Sequence, residues 1–241
     1  WGSRYERLDN GVVALFLESG GGGDDKLVGI LNLIPSHITH FLSVSPDYFV
    51  GAMGLQHVAD RFGGHLKCIK IQLTDSVQDS DIVYFLSRCP QLEELIIVSC
   101  KNMTDLTLRE IAKCKNLKRL HLSEGSLFTN EGLISLPFEQ YTELNISFCA
   151  QFDDSVLHFM GDKCRYIKKL WVEETGVTAS GMAAFLSCDI RPRLTSILVG
   201  IKLVTPLINN LEAILGPSAP NWTKKINNFG HGYELMNCMV L

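Results

Sequence analysis

Two stretches of this 241-residue sequence carry residue types that do covalent chemistry, and a third set could make contacts. His40 and Cys68 pair an imidazole with a thiol, the combination that generates a thiolate nucleophile when the two groups meet. The terminal run Cys238-Met239-Val240-Leu241 fits the C-a-a-X pattern for prenylation at Cys238, with the leucine ending that a geranylgeranyl signal carries. Trp171, a large amphipathic ring, stands at the same phase of a repeating pattern as Ile96, His121, Asn145 and Leu198. Aromatic and apolar side chains grouped on an outward surface are what the centre of a protein interface contains. His40 and Cys68 have no third group to orient the histidine and no oxyanion donors beside them, so an enzyme using them is the remote alternative. Neither C-x-x-C nor H-x-x-x-H pairs occur, nor a phosphate loop or nucleophile elbow, and the expectation is no metal site and no cofactor.

What positions these residues is a repeat. Residues 89–114 hold one complete unit: Cys89-Pro90, an L-x-x-L-x-L run at Leu92, Leu95 and Ile97, then Cys100, Thr104-Asp105, and an apolar helical stripe at Leu108 and Ile111. The run recurs from Leu66, Leu117, Tyr141, Ile167 and Leu194, with a weaker copy at Ile38. Successive starts from 66 to 194 are separated by 26, 25, 24, 26 and 27 residues, a period that marks a solenoid. Each unit reads as a short parallel strand, a turn and a helix. Helix starts align at Asp79, Asp105, Asn130, Asp154 and Ala179, four of them residues suited to an N-cap.

Side chains alternate across a strand, so the leucine positions point inward and the intervening ones point outward in columns whose members lie about 4.8 Å apart. The first column runs His40, Cys68, Glu94, Arg119, Glu143, Lys169, Ser196, with alternating charges at its centre. The second runs Leu42, Lys70, Ile96, His121, Asn145, Trp171, Leu198. The third runs Val44, Gln72, Val98, Ser123, Ser147, Glu173, Gly200. The expected partner-binding residues are Trp171, His121, Asn145, Ile96, Leu198, Lys169, Glu143, Arg119, Glu94 and Glu173.

The flanks complete the layout. Residues 1–35 read as an N-terminal capping segment, in which the apolar run 12–17 covers the first repeat and Gly20–Gly23 with Asp24-Asp25 form a flexible break before a short helix at 26–34. Residues 36–216 hold about six or seven repeats, and 217–241 form a C-terminal cap or tail. Hydrophobic content of 46% permits a sizeable core, and the net charge of −4, with no basic block, gives no reason to expect nucleic acid. No apolar segment approaches the roughly 20 residues that span a bilayer. Six of the eight cysteines fall at recurrent core positions, as small buried hydrophobes in a reducing compartment do. A chain starting at Trp1 reads as an excised piece of a longer protein.

These motifs resemble the cysteine-containing class of leucine-rich repeat found in the substrate-binding halves of F-box proteins and related adaptors, over roughly residues 36–216. The resemblance implies an α/β solenoid: a curved right-handed superhelix with a parallel β-sheet on the concave face and helices on the convex face. It further implies a protein-protein interaction module, the substrate-recognition domain of an F-box-type ubiquitin-ligase adaptor, with its protein partner on the concave face. No F-box sequence is visible ahead of the array, so a ligase scaffold would attach through a segment upstream of Trp1. The alternative is an adaptor or assembly factor of the same class without a ligase role, including mitochondrial ones. A cytoplasmic location follows from the resemblance, with nuclear, mitochondrial or, if Cys238 is prenylated, membrane-associated placement as alternatives.

Overall fold

The computed structural model describes residues 2–7, 13–19, 23–43, 49–188, 194–200, 222–226 and 232–237. The repeats stack into one continuous sheet. Strands β3 (His40–Ser43), β5 (Cys68–Leu73), β6 (Glu94–Val98), β7 (Arg119–Leu122), β8 (Glu143–Asn145), β9 (Lys169–Val172) and β10 (Ser196–Gly200) follow one another in parallel. A two-residue strand, β4 (Phe49–Val50), adds to β5 on one side. Helices α1 (Asp24–Leu33), α2 (Ala52–Phe62), α3 (Asp79–Arg88), α4 (Asp105–Ile111), α5 (Asn130–Ile134), α6 (Asp154–Lys163) and α7 (Ala179–Ser187) return the chain from each strand to the next. The molecule is a leucine-rich-repeat solenoid with helices behind a parallel sheet.

The core lies between those two layers. Leu66, Leu92, Leu117, Tyr141, Ile167 and Leu194 are all buried, as are the second and third members of every run from Ile69 and Ile71 to Ile197 and Val199. Parallel strands need a crossover, and the helices supply it while covering the inward face with Phe85, Leu108, Leu133, Leu157 and Met182. Both ends of the sheet are antiparallel. At one, β2 (Val13–Ser19) pairs in parallel with β3 and antiparallel with β1 (Gly2–Arg7). At the other, β12 (Gly232–Asn237) pairs antiparallel with β10 and with β11 (Trp222–Ile226).

The helix starts differ from the sequence expectation by one residue, and the reason connects neighbouring repeats. The N-caps are Gln78, Thr104, Thr129, Asp153 and Thr178; Asp79, Asp105, Asn130, Asp154 and Ala179 are the first helical residues. Thr104, Thr129 and Thr178 cap their own helices, accepting a bond from an amide of the first turn. The first-turn aspartate instead reaches to the next repeat and accepts both the amide and the hydroxyl of its N-cap threonine. Asp105 takes Thr129 at 2.8 and 2.6 Å, and Asp154 takes Thr178 at 2.8 and 2.6 Å. Asp79 takes Thr104 at 3.0 and 2.7 Å, and also the Thr107 hydroxyl. Burial would raise the Asp79 carboxyl, but these hydrogen bonds outweigh it and hold Asp79 below the usual carboxylate range. Asp24, expected in a flexible break, is helical and accepts the Gly51 amide at 2.8 Å as the first member of the series.

One member of the ladder is reversed. Asn130 replaces the aspartate and Asp153 replaces the threonine, so Asn130 Nδ2 donates to Asp153 Oδ2 at 3.0 Å and to Ser155 Oγ at 3.2 Å. Donor and acceptor have changed sides together. The clamp also explains two glycines: a Cβ on Gly132 or Gly181 would lie 2.0 Å from Oδ1 of Asp105 or Asp154.

Two further columns run through the turns. Ser99, Glu124, Phe148 and Glu174 occupy equivalent positions just past their strands with φ of 71, 61, 61 and 48°, a left-handed conformation that costs a non-glycine residue roughly 1–2 kcal/mol. In the next position stand Cys100, Gly125, Cys149 and Thr175. Cys149 sends its thiol toward the Leu122 and Ser147 carbonyls, and Thr175 donates to Val172 O at 2.9 Å, so the site takes a small side chain or none. The seven cysteines among the described residues are free thiols, and burial pushes Cys149 up to about 11 and Cys164 up to about 12.

Tyr141 stands where other repeats place leucine or isoleucine. It is wholly buried, its ring meets Phe138 edge-on at 6.4 Å, and its hydroxyl has no hydrogen-bond partner among the described residues. A buried hydroxyl without a partner loses its hydration uncompensated. Tyr141→Phe is therefore expected to stabilise the protein by about 1 kcal/mol, a rise in Tm of about 2–4 °C. A calorimetric melt checks this; a lower Tm would mean that the hydroxyl is satisfied.

Candidate functional site

The strand register brings the outward residues into the columns that the alternation implies. Cys68, Glu94, Arg119, Glu143, Lys169 and Ser196 are successive Cα partners, and His40 faces Cys68. Leu42, Lys70, Ile96, His121, Asn145, Trp171 and Leu198 form the second such line in the same ladders. Gln72 faces Val98 in the third column, Glu173 lies just past β9, and Val44 lies outside the described residues.

The charges settle into two pairs. Arg119 donates from Nε to Glu94 Oε2 at 2.8 Å and from its terminal nitrogen to the same oxygen, while Lys169 Nζ meets Glu143 Oε1 at 3.1 Å. Pairs this open to water contribute about 0–1 kcal/mol each, so they can be exchanged for charges on a partner at little cost.

Trp171 is half-buried and held from two sides. The His121 imidazole lies 5.0 Å from it, centroid to centroid, at an interplanar angle of 58°, and the Lys169 ammonium lies 5.9 Å from the ring centre. Burial depresses the His121 pKa, overriding the upward pull of Glu143 and Glu94, so the imidazole is neutral near pH 7. Its Nε2 is buried without a hydrogen-bond partner among the described residues. Ile96 completes an apolar shoulder next to His121. Asn145 is turned inward to its own chain, its Oδ1 accepting the Ser147 amide at 2.9 Å.

Leu198 departs from expectation. It is only 8% exposed, and Ser196 beside it is buried too. Every residue of β10 is buried, so the column closes at this strand and its open part ends at Trp171. The sequence alternation fixes which way Leu198 points, but not what lies over it.

His40 and Cys68 face each other as Cα partners on adjacent strands, but they are in the wrong state for covalent chemistry. Burial, reinforced by the Glu94 carboxylate, drives the Cys68 thiol far up, and burial lowers His40, whose Nδ1 lies 2.9 Å from Thr39 Oγ1. Both groups are held neutral, whereas a nucleophilic pair needs thiolate and imidazolium. Cys238 lies outside the described residues. Among the described residues no cluster of His, Cys, Asp or Glu could hold a metal ion, and no helix is long and apolar enough to cross a membrane.

Sequence reasoning missed the inter-repeat aspartate clamp and a basic groove at the strand beginnings, lined by Lys115, Lys118, Lys168 and Tyr166. The signal for the groove was present as lysines at the same offset in three repeats, 67, 118 and 168, the last two of which line it. Each alone reads as an ordinary solvated charge.

No family model matches the sequence. Among solved structures, the chain is similar to one in the crystal structure of the Rad7 and Elc1 complex in yeast, with a TM-score of 0.54 and 16% sequence identity, covering 73% of this chain and 53% of that one. The protein thus spans about half the length of the solved chain it matches, and what the two share at this identity is the repeat fold.

Proposed function

We propose that the chain is a protein-interaction module that seats a protein partner on its concave face, with Trp171 as the anchor. The observation that carries this reading is the open stretch from Ile96 through His121 to Trp171. There a large ring is already fixed in place, an imidazole nitrogen lacks a partner among the described residues, and two exchangeable ion pairs run alongside. An ordered aromatic loses little freedom on binding, which is what an interface hot spot requires. The neutral, buried Cys68 supports a binding role over a catalytic one.

The finer reading is a cysteine-containing leucine-rich-repeat domain, residues 36–216 flanked by caps, that recognises substrates for an F-box-type ubiquitin ligase. It rests on the motif resemblance. The similar solved chain belongs to a two-protein complex, which agrees with partner binding without naming the partner here. A photo-crosslinking residue placed at Asn145 is expected to capture the partner from cell extract, while the same residue at the exposed His158 on the helix face captures none. Capture from His158 alone would move the interface to the opposite face. Recovery of a ligase scaffold subunit with the full-length parent protein supports the ligase role; its absence from a capture that does hold the partner leaves the non-ligase adaptor.

A further inference from the structure

A second surface lies at the beginnings of the strands, away from Trp171. There the loops leading into β7, β8 and β9 leave a groove of about 670 Å³, within the roughly 300–1,000 Å³ of sites that bind small groups. Its apolar floor is the flank of Tyr166, which is 60% exposed, while the neighbouring Leu117 is wholly buried. Its walls carry Lys115, Lys118 and Lys168, opposed by one acid, Glu139.

The lysines are uncompensated for a structural reason. The residues at this offset run Lys67, Glu93, Lys118, Thr142, Lys168 and Thr195 along the sheet edge. Glu93 is the acid next to Lys118, but its carboxylate is taken by Lys67 at 3.2 Å. The following neighbours are threonines whose hydroxyls donate to backbone: Thr142 to Lys118 O at 3.2 Å and Thr195 to Lys168 O at 3.0 Å. Lys115, Lys118 and Lys168 make no ion pair among the described residues, in a protein whose net charge is −4. Lys118 and Lys168 sit two strands apart, about 10 Å, on either side of the apolar floor.

We infer that this groove docks an acidic peptide segment of a partner protein, with an apolar or aromatic side chain against Tyr166 and flanking carboxylates on Lys118 and Lys168. Charge complementarity selects the occupant: the basic walls attract carboxylates, and the apolar floor distinguishes a peptide bearing a hydrophobic anchor from a free anion.

The test uses a fluorescein-labelled, glutamate-rich peptide with a central tryptophan, followed by anisotropy. Saturable binding is expected, weakening as salt rises. The double variant Lys118→Glu/Lys168→Glu is expected to lose at least about tenfold in affinity with an unchanged melting curve, because both side chains are exposed. Tyr166→Ala should weaken this peptide but leave a tryptophan-free version unaffected. Trp171→Ala should bind the peptide as the wild type does. No saturable binding to wild type, or equal binding to the charge-reversed protein, overturns the inference. So does phosphatidylserine vesicle binding that outcompetes the peptide, which would make the surface a lipid site.

Discussion

Trp171→Ala is expected to weaken partner binding by about 2 kcal/mol or more, roughly a thirtyfold rise in Kd, while leaving the fold intact. The two halves of that statement have separate causes. On the inward side of β9, Leu170 and Val172 are wholly buried and carry the packing, so removing an outward ring takes nothing from the core. On the outward side, truncation removes the largest apolar surface in the open part of the column and frees the His121 ring and the Lys169 chain that it now holds. A partner seated there would lose its anchor and have to order those side chains itself. Isothermal titration against the crosslinked partner, with a melt of each protein, measures both halves. Trp171→Phe should retain most of the affinity. An unchanged Kd for the alanine variant would remove Trp171 from the interface.

Asn130→Asp should destabilise the protein by about 2 kcal/mol, lowering Tm by about 4–8 °C, even though aspartate stands at the matching position of three other repeats. The change replaces the donating Nδ2, 3.0 Å from Asp153 Oδ2, with a second carboxylate oxygen. In the wild type Asp153 is held low, first by the Ser155 hydroxyl, whose effect outweighs burial, and then by Asn130. In the variant two like charges face each other, which raises the folded-state pKa of the pair above the unfolded value. The sign follows. The penalty is full at neutral pH, where both are ionised, and is relieved as pH falls through the raised pKa and one takes up a proton. The gap between variant and wild type should therefore narrow from pH 7 toward pH 4. Adding Asp153→Thr recreates the aspartate–threonine clamp of the neighbouring repeats and should restore most of the loss. Failure of that second change to rescue would show that the polar ladder does not set the stability of this seam.

Much of this architecture was readable from spacing alone. The L-x-x-L-x-L period fixed which residues turn inward, and because a strand's side-chain period is two, that also fixed the outward columns, including the Glu94–Arg119 and Glu143–Lys169 neighbours. The clamp was not readable in the same way. In Thr104-Asp105 and Thr129-Asn130 the neighbouring residues compete as caps by local preference, and Asp105 is drawn away by a threonine about 25 residues later in the chain. Local propensity does not contain that bond. Leu198 failed for another reason: the repeat period stops after β10, so the pattern that oriented the side chain says nothing of what covers it. His121 was readable as an outward residue, but its unpartnered nitrogen depends on how the Trp171 ring leans across one intervening strand.

The cysteines spaced along the array give it a built-in clock. Cys89 at the end of α3, Cys100 and Cys149 in alternate turns and Cys164 at the end of α6 are buried, whereas Cys114 after α4 and Cys188 at the end of α7 are partly open. An alkylating reagent must wait for a unit to breathe before it can mark the thiol inside, so the order in which the cysteines acquire label reads out the order in which the units open.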